Sequence, residues 1–163
     1  MKKILWLLLA VFLFSCGKNS VSAFADTGNL AEEIYQKAGL DMSGVYRETV
    51  DENFAFAFGI SAEDFDERVE HAVCFRETVD TKGRALYVFK ADEENDALWL
   101  AQKIYGSYEF APCDIAEKMT VACSGKFIML FKSDAAEVDR AAQIFRSLSG
   151  GALRFKKDLN HSK

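Results

Sequence analysis

Histidine is scarce in this chain: two residues in 163, His71 and His161. A Ser-His-Asp or Cys-His site in the body of the protein would have to be built on His71. No G-x-S-x-G stretch supplies a strained serine, no H-E-x-x-H supplies paired metal ligands, and no glycine-rich loop supplies a phosphate cradle. Four cysteines are present but none forms C-x-x-C, which removes the usual structural zinc site. Clustered basic residues of the kind that nucleic acid requires are also missing. Residues 16–150 carry 14 basic and 24 acidic groups, a net of −10, and would be repelled by phosphate backbones. No apolar run approaches the roughly 20 residues needed to cross a bilayer. No cofactor is implied.

What is present begins at the N-terminus. Lys2 and Lys3 precede eleven apolar residues, Ile4 to Phe14, which is the layout of an export signal. The run ends in Leu13-Phe14-Ser15-Cys16, which resembles the bacterial lipobox: an aliphatic residue and a small residue before an obligatory cysteine. The resemblance implies lipid attachment at Cys16 and signal cleavage between Ser15 and Cys16, leaving an acylated chain on the extracytoplasmic face of a membrane. Gly17, rather than aspartate, after the cysteine is compatible with an outer membrane if the cell has one. A competing cut exists. Ala23-Phe24-Ala25 before Asp26 reads as A-x-A and would release a soluble, secreted protein.

Once residues 1–15 are removed, residues 16–28 read as a lipid-anchored tether and residues 29–150 as a single domain. Residues 151–163, with Arg154, Lys156, Lys157 and Lys163, read as a basic C-terminal tail. Of the remaining thiols, Cys74 reads as a buried small hydrophobe, and Cys113 and Cys123 are the pair closest in sequence for any bridge.

Along the domain the pattern alternates strands and helices. Asn29 is the expected cap of a helix through "NLAEEIYQKAG", followed by strands at "GVYRETV" and "NFAFAFGI". Phe54, Phe56 and Phe58 alternate with alanines there, a period of two that predicts a strand with an aromatic core face. Ser61 caps "AEDFDERVE", "HAVCFRETV" and "RALYVFK" form a hairpin, and "EENDALWLAQKIY" is helical from Asp92 to Gly106. A second hairpin, "MTVACS" and "KFIMLFK", turns at Gly125, and Asp134 caps a final helix stopped by Gly150-Gly151. "YRETVD" at 46 recurs as "FRETVD" at 75, and "GRALYVFKAD" at 83 as "GKFIMLFKSD" at 125. Old duplication and convergent hairpin grammar both account for that rhyme. The expected fold is α+β: an antiparallel sheet of strand–strand–helix units with the helices packed on one face.

The acidic run "ADEENDA" begins like a calcium loop but has Ala97 and Lys103 where glycine and glutamate are required, so helix-start acids explain it better. Glu63 and Glu67 share a helical face, which predicts a solvated surface unless a cleft shifts their titration. With the "LYVFKADEEN" and "GKFIMLF" strands each followed by a helix, the chain is similar to a family of short bacterial lipoproteins whose shared domain has no assigned function. That resemblance implies an envelope location and brings no catalytic residues. The reading is a non-catalytic binding or interaction module, held to membrane lipid through Cys16 and meeting an envelope protein as partner. The alternative is a small envelope hydrolase built on His71 or on Glu63 and Glu67.

Overall fold

The computed structural model describes residue 24, residues 26–79 and residues 81–161. Ser15, Cys16, the signal and tether residues 16–23 and 25 lie outside them.

Two hairpins organise the chain. β2 (Val69–Glu77) pairs with β3 (Ala85–Ala91), and β4 (Lys118–Ser124) pairs with β5 (Phe127–Ser133). The second hairpin closes at Gly125, whose φ of +55° is open to glycine at no steric cost. β3 then pairs antiparallel with β5, which joins the hairpins back to back. β1 (Val45–Thr49) adds to the outside of β2 and β6 (Phe155–Asn160) to the outside of β4. The result is an open, fully antiparallel sheet in the order β1-β2-β3-β5-β4-β6.

The α+β class and the antiparallel sheet agree with expectation, but the helices are not confined to one face. α1 (Thr27–Lys37) and α4 (Ala135–Leu148) bury Leu30, Ile34, Tyr35, Val138 and Phe145 against Val73, Phe75, Val88 and Met129. On the opposite face, α2 (Ala62–Arg68), α3 (Glu94–Ser107) and a 3₁₀ helix (Glu52–Phe58) bury Phe58, Phe65, Leu100 and Ile104 against Phe89, Val121 and Leu130. The central strands explain this. Both of their faces are apolar, so one helical layer would leave half of that surface wet.

"NFAFAFGI" is the 3₁₀ helix rather than a strand. The Asp51 side chain accepts from Asn53 N at its start, and Gly59, with φ of +68°, ends it. Ala55 and Phe58 are the buried pair, three residues apart, which is one 3₁₀ turn. Phe54 and Phe56 are instead 46% and 79% exposed, so the expected aromatic core face does not form. Phe58 meets Tyr87 and Phe89 edge-on, with centroids 5.0 and 5.2 Å away.

Both domain boundaries move outward. α1 is capped by Asp26, not Asn29: the Asp26 carboxylate accepts from Gly28 N at 2.8 Å. The expected basic tail contains β6, whose strand pairs residue for residue with β4 from Lys118↔Asn160 to Cys123↔Phe155. The Ser61 and Asp134 caps form as expected. Tyr46 and Arg47 of the first copy pair antiparallel with Arg76 and Phe75 of the second, in β1 and β2. After its hairpin, α3 covers one face of the sheet and α4 the other. The helices that follow the two hairpins thus lie on opposite faces, and the rhyme stops at the hairpins.

Candidate functional site

The end of the sheet that carries the start of α1 holds a polar cleft of about 420 Å³, lined by Asp26, Thr27, Arg47, Glu70, His71 and Lys90. Four separate elements build it. A bulge at the start of β2 shifts the register between Val69 and His71, leaving Glu70 without a partner on β3. An extra residue in a strand lets two consecutive side chains face the same side, and Glu70 and His71 both reach the cleft. His71 pairs across to Lys90, whose ammonium donates to Glu70 Oε1 at 2.6 Å.

The Thr27 hydroxyl lies 2.6 Å from His71 Nδ1 and fixes the ring. Thr27 itself is 0% exposed, so its oxygen serves the ring and is closed to any larger molecule. Arg47 comes from β1. Its guanidinium rests on the peptide at Gly28, where a Cβ would stand 2.3 Å from the guanidinium carbon. Glycine at that position is what lets the cation lie flat on the first turn of α1. Arg47 Nη2 is 3.7 Å from Asp26 Oδ1, an ion pair too long for a hydrogen bond.

A second concentration of charge has a different character. At the other end of the sheet, Arg84 donates to both Glu137 oxygens, from Nε at 2.8 Å and from Nη2 at 2.6 Å, and also reaches Glu77. Lys82 and Ser133 add donors to the same carboxylate, at 2.7 and 2.6 Å. Burial alone would raise the Glu137 carboxyl, but the donors from Arg84, Lys82 and Ser133 prevail and hold it down at about 2. With four donors converging on it, this carboxylate is committed to tying α4 to β3 and β5. It is a clamp.

The other residues weighed in the sequence are placed elsewhere. Glu63 and Glu67 are exposed on α2, away from the cleft lining. His161 stacks on Phe110 at 4.7 Å with Nδ1 3.1 Å from Ala116 O. Trp99 lies beneath the Arg68 guanidinium at 4.6 Å, with Asp96 of the acidic run as that cation's partner. Cys74, Cys113 and Cys123 are unbonded; burial pushes the Cys74 and Cys123 thiols up to about 12 and 11, while Cys113 is exposed. Among the described residues no group of three or more His, Cys, Asp or Glu is placed to hold a metal ion. Nor is any of their helices long and apolar enough to cross a membrane.

Sequence reasoning singled out His71 by its scarcity but missed Thr27, Arg47 and Lys90. Those three are ordinary surface types that only the strand register and the bulge assemble. Set against known proteins, the chain matches no family model, no curated protein and no solved structure.

Proposed function

We propose that the chain is a lipid-anchored lipoprotein of the extracytoplasmic face, and that its folded body is a non-catalytic binding module with the His71 cleft as ligand site. One observation carries the anchored reading over the competing cut after Ala25. Phe24 packs against the α1/α4 core and lines a hollow with Lys90, Gly125, Lys126 and Phe127. Cleavage after Ala25 would discard a side chain that the domain uses; cleavage before Cys16 keeps it.

The preference for binding over hydrolysis rests on Thr27. It is the hydroxyl bonded to His71, and a nucleophile must be reachable by the bond it attacks. Thr27, the first residue of α1, is fully buried. The paired carboxylates of the hydrolase alternative, Glu63 and Glu67, face solvent on α2.

The test is the intact mass of the protein taken from its native cells, together with membrane fractionation of wild type and Cys16→Ala. The expected result is an N-terminal Cys16 bearing acyl mass, and release of Cys16→Ala from the membrane fraction. A soluble product beginning at Asp26 without acyl mass overturns the anchored reading.

A further inference from the structure

We infer that the cleft is an oxyanion site in which the Arg47 guanidinium and His71 Nε2 receive the phosphate or carboxylate end group of a small ligand or of a lipid headgroup. This rests on the reading of the cleft as the ligand site.

The donors that line the cleft are not equally free. Lys90 is neutralised by Glu70 at 2.6 Å. Asp26 spends its carboxylate on Gly28 N at the head of α1, where the helix dipole favours a negative charge. Arg47 stands apart. Among the described residues its only ion pair is the 3.7 Å one with Asp26, and it makes no hydrogen bond, although guanidinium offers five donors in a planar fork. It is held in place by packing on Gly28 rather than by an acceptor.

His71 complements it. Thr27 occupies Nδ1, and Nε2 has no partner among the described residues. When the Thr27 hydroxyl donates to Nδ1, the neutral ring carries its proton on Nε2 and presents a donor. With that tautomer, the solvent-facing Arg47 guanidinium and His71 Nε2 border one hollow as donors without a hydrogen-bond acceptor among the described residues, beside the Asp26 carboxylate and the mutually neutralised Glu70–Lys90 pair. A monoanionic oxygen group supplies what both lack, and Arg matches its geometry bidentately.

The source of the oxyanion is open to two chemistries, free in solution or in a headgroup. The chain is held to the body at Phe24, eight residues after Cys16, a reach of at most about 28 Å when fully extended. A headgroup is therefore within range on the anchored reading.

The experiment is an amide-resolved NMR titration of the full mature chain with inorganic phosphate and, separately, acetate. A second arm uses the chain on vesicles of phosphatidylglycerol against phosphatidylcholine. The expected result is saturable shifts centred on residues 27, 47 and 71. They weaken at least about tenfold in Arg47→Gln, the loss anticipated for a charge-assisted bidentate contact. Lys37→Gln removes the same charge at the far end of α1 and should leave the affinity within about twofold. Shifts by phosphate or acetate identify a soluble ligand. Shifts at the same residues produced only by phosphatidylglycerol, and lost in Arg47→Gln, identify a headgroup. No saturable shift in any arm, or equal weakening by Arg47→Gln and Lys37→Gln, overturns the inference. Because the titration reads the cleft whether or not the chain is acylated, its failure is distinct from failure of the anchor.

Discussion

Glu137 is the side chain on which the placement of α4 turns. It is 5% exposed, receives Arg84 bidentately, and takes further donors from Lys82 and Ser133. Breaking a buried pair by removing one partner leaves the other charge uncompensated, at a cost of about 3–5 kcal/mol. Glu137→Gln should lose roughly that much in chemical denaturation. The pH dependence has a definite sign. The folded carboxyl titrates at about 2 and the unfolded one near 4.5, so the unfolded chain takes up the proton first. The contribution of this residue is complete above pH 4.5 and drains away as pH falls toward 2. In Glu137→Gln the stability curve should lose that part of its acid slope; an unchanged slope would contradict the clamp. Tyr35 is the residue where removal should help. Its hydroxyl is buried with no hydrogen-bond partner among the described residues, and burial raises its pKa. Tyr35→Phe keeps the ring contacts with Phe75 and Phe131 and removes a desolvated donor, so it should be neutral or stabilising by about 1 kcal/mol in the same assay.

At the scale of elements, the 3₁₀ helix separates two side chains that the sequence makes look alike. Phe58→Ala opens a hole against Tyr87 and Phe89 and should cost about 3–5 kcal/mol. Phe56→Ala, at a position 79% exposed, should change stability by less than about 0.5 kcal/mol. Thermal melts of the two variants decide between a core stripe and a single buried ring. The difference shows what was legible in the chain. The two hairpins were, because turn glycines and apolar runs are local signals, and so were the Ser61 and Asp134 caps. The 3₁₀ segment was not, because a Phe-Ala alternation presents a period of two even where burial follows a period of three. β6 was hidden by charge: Lys156 and Lys157 look like a solvated tail until β4 offers them a ladder. The two-sided helical cover follows from strands apolar on both faces, but the direction in which each helix crosses is set by packing rather than by local pattern. At the cleft, His71 stood out alone, since nothing local links residues 27, 47, 71 and 90.

For the whole molecule, the packed region runs from Phe24 through His161 rather than over residues 29–150. Phe24 belongs to the body, half-buried against its core. A chain starting at Asp26 should be less stable than one starting at Cys16 by about 1–2 kcal/mol, the value of a partly buried aromatic ring. Equal melting of the two forms would remove Phe24 as an argument about processing. The sheet's two margins have a consequence of another kind. Helices cover both faces, and among the described residues the open edges of the sheet are β1, five residues long, and β6, which carries Lys156 and Lys157. A short rim on one side and a lysine-bearing rim on the other discourage a sister copy from extending the ladder. Crowded together on one surface, many copies would stand beside each other without fusing into fibrils.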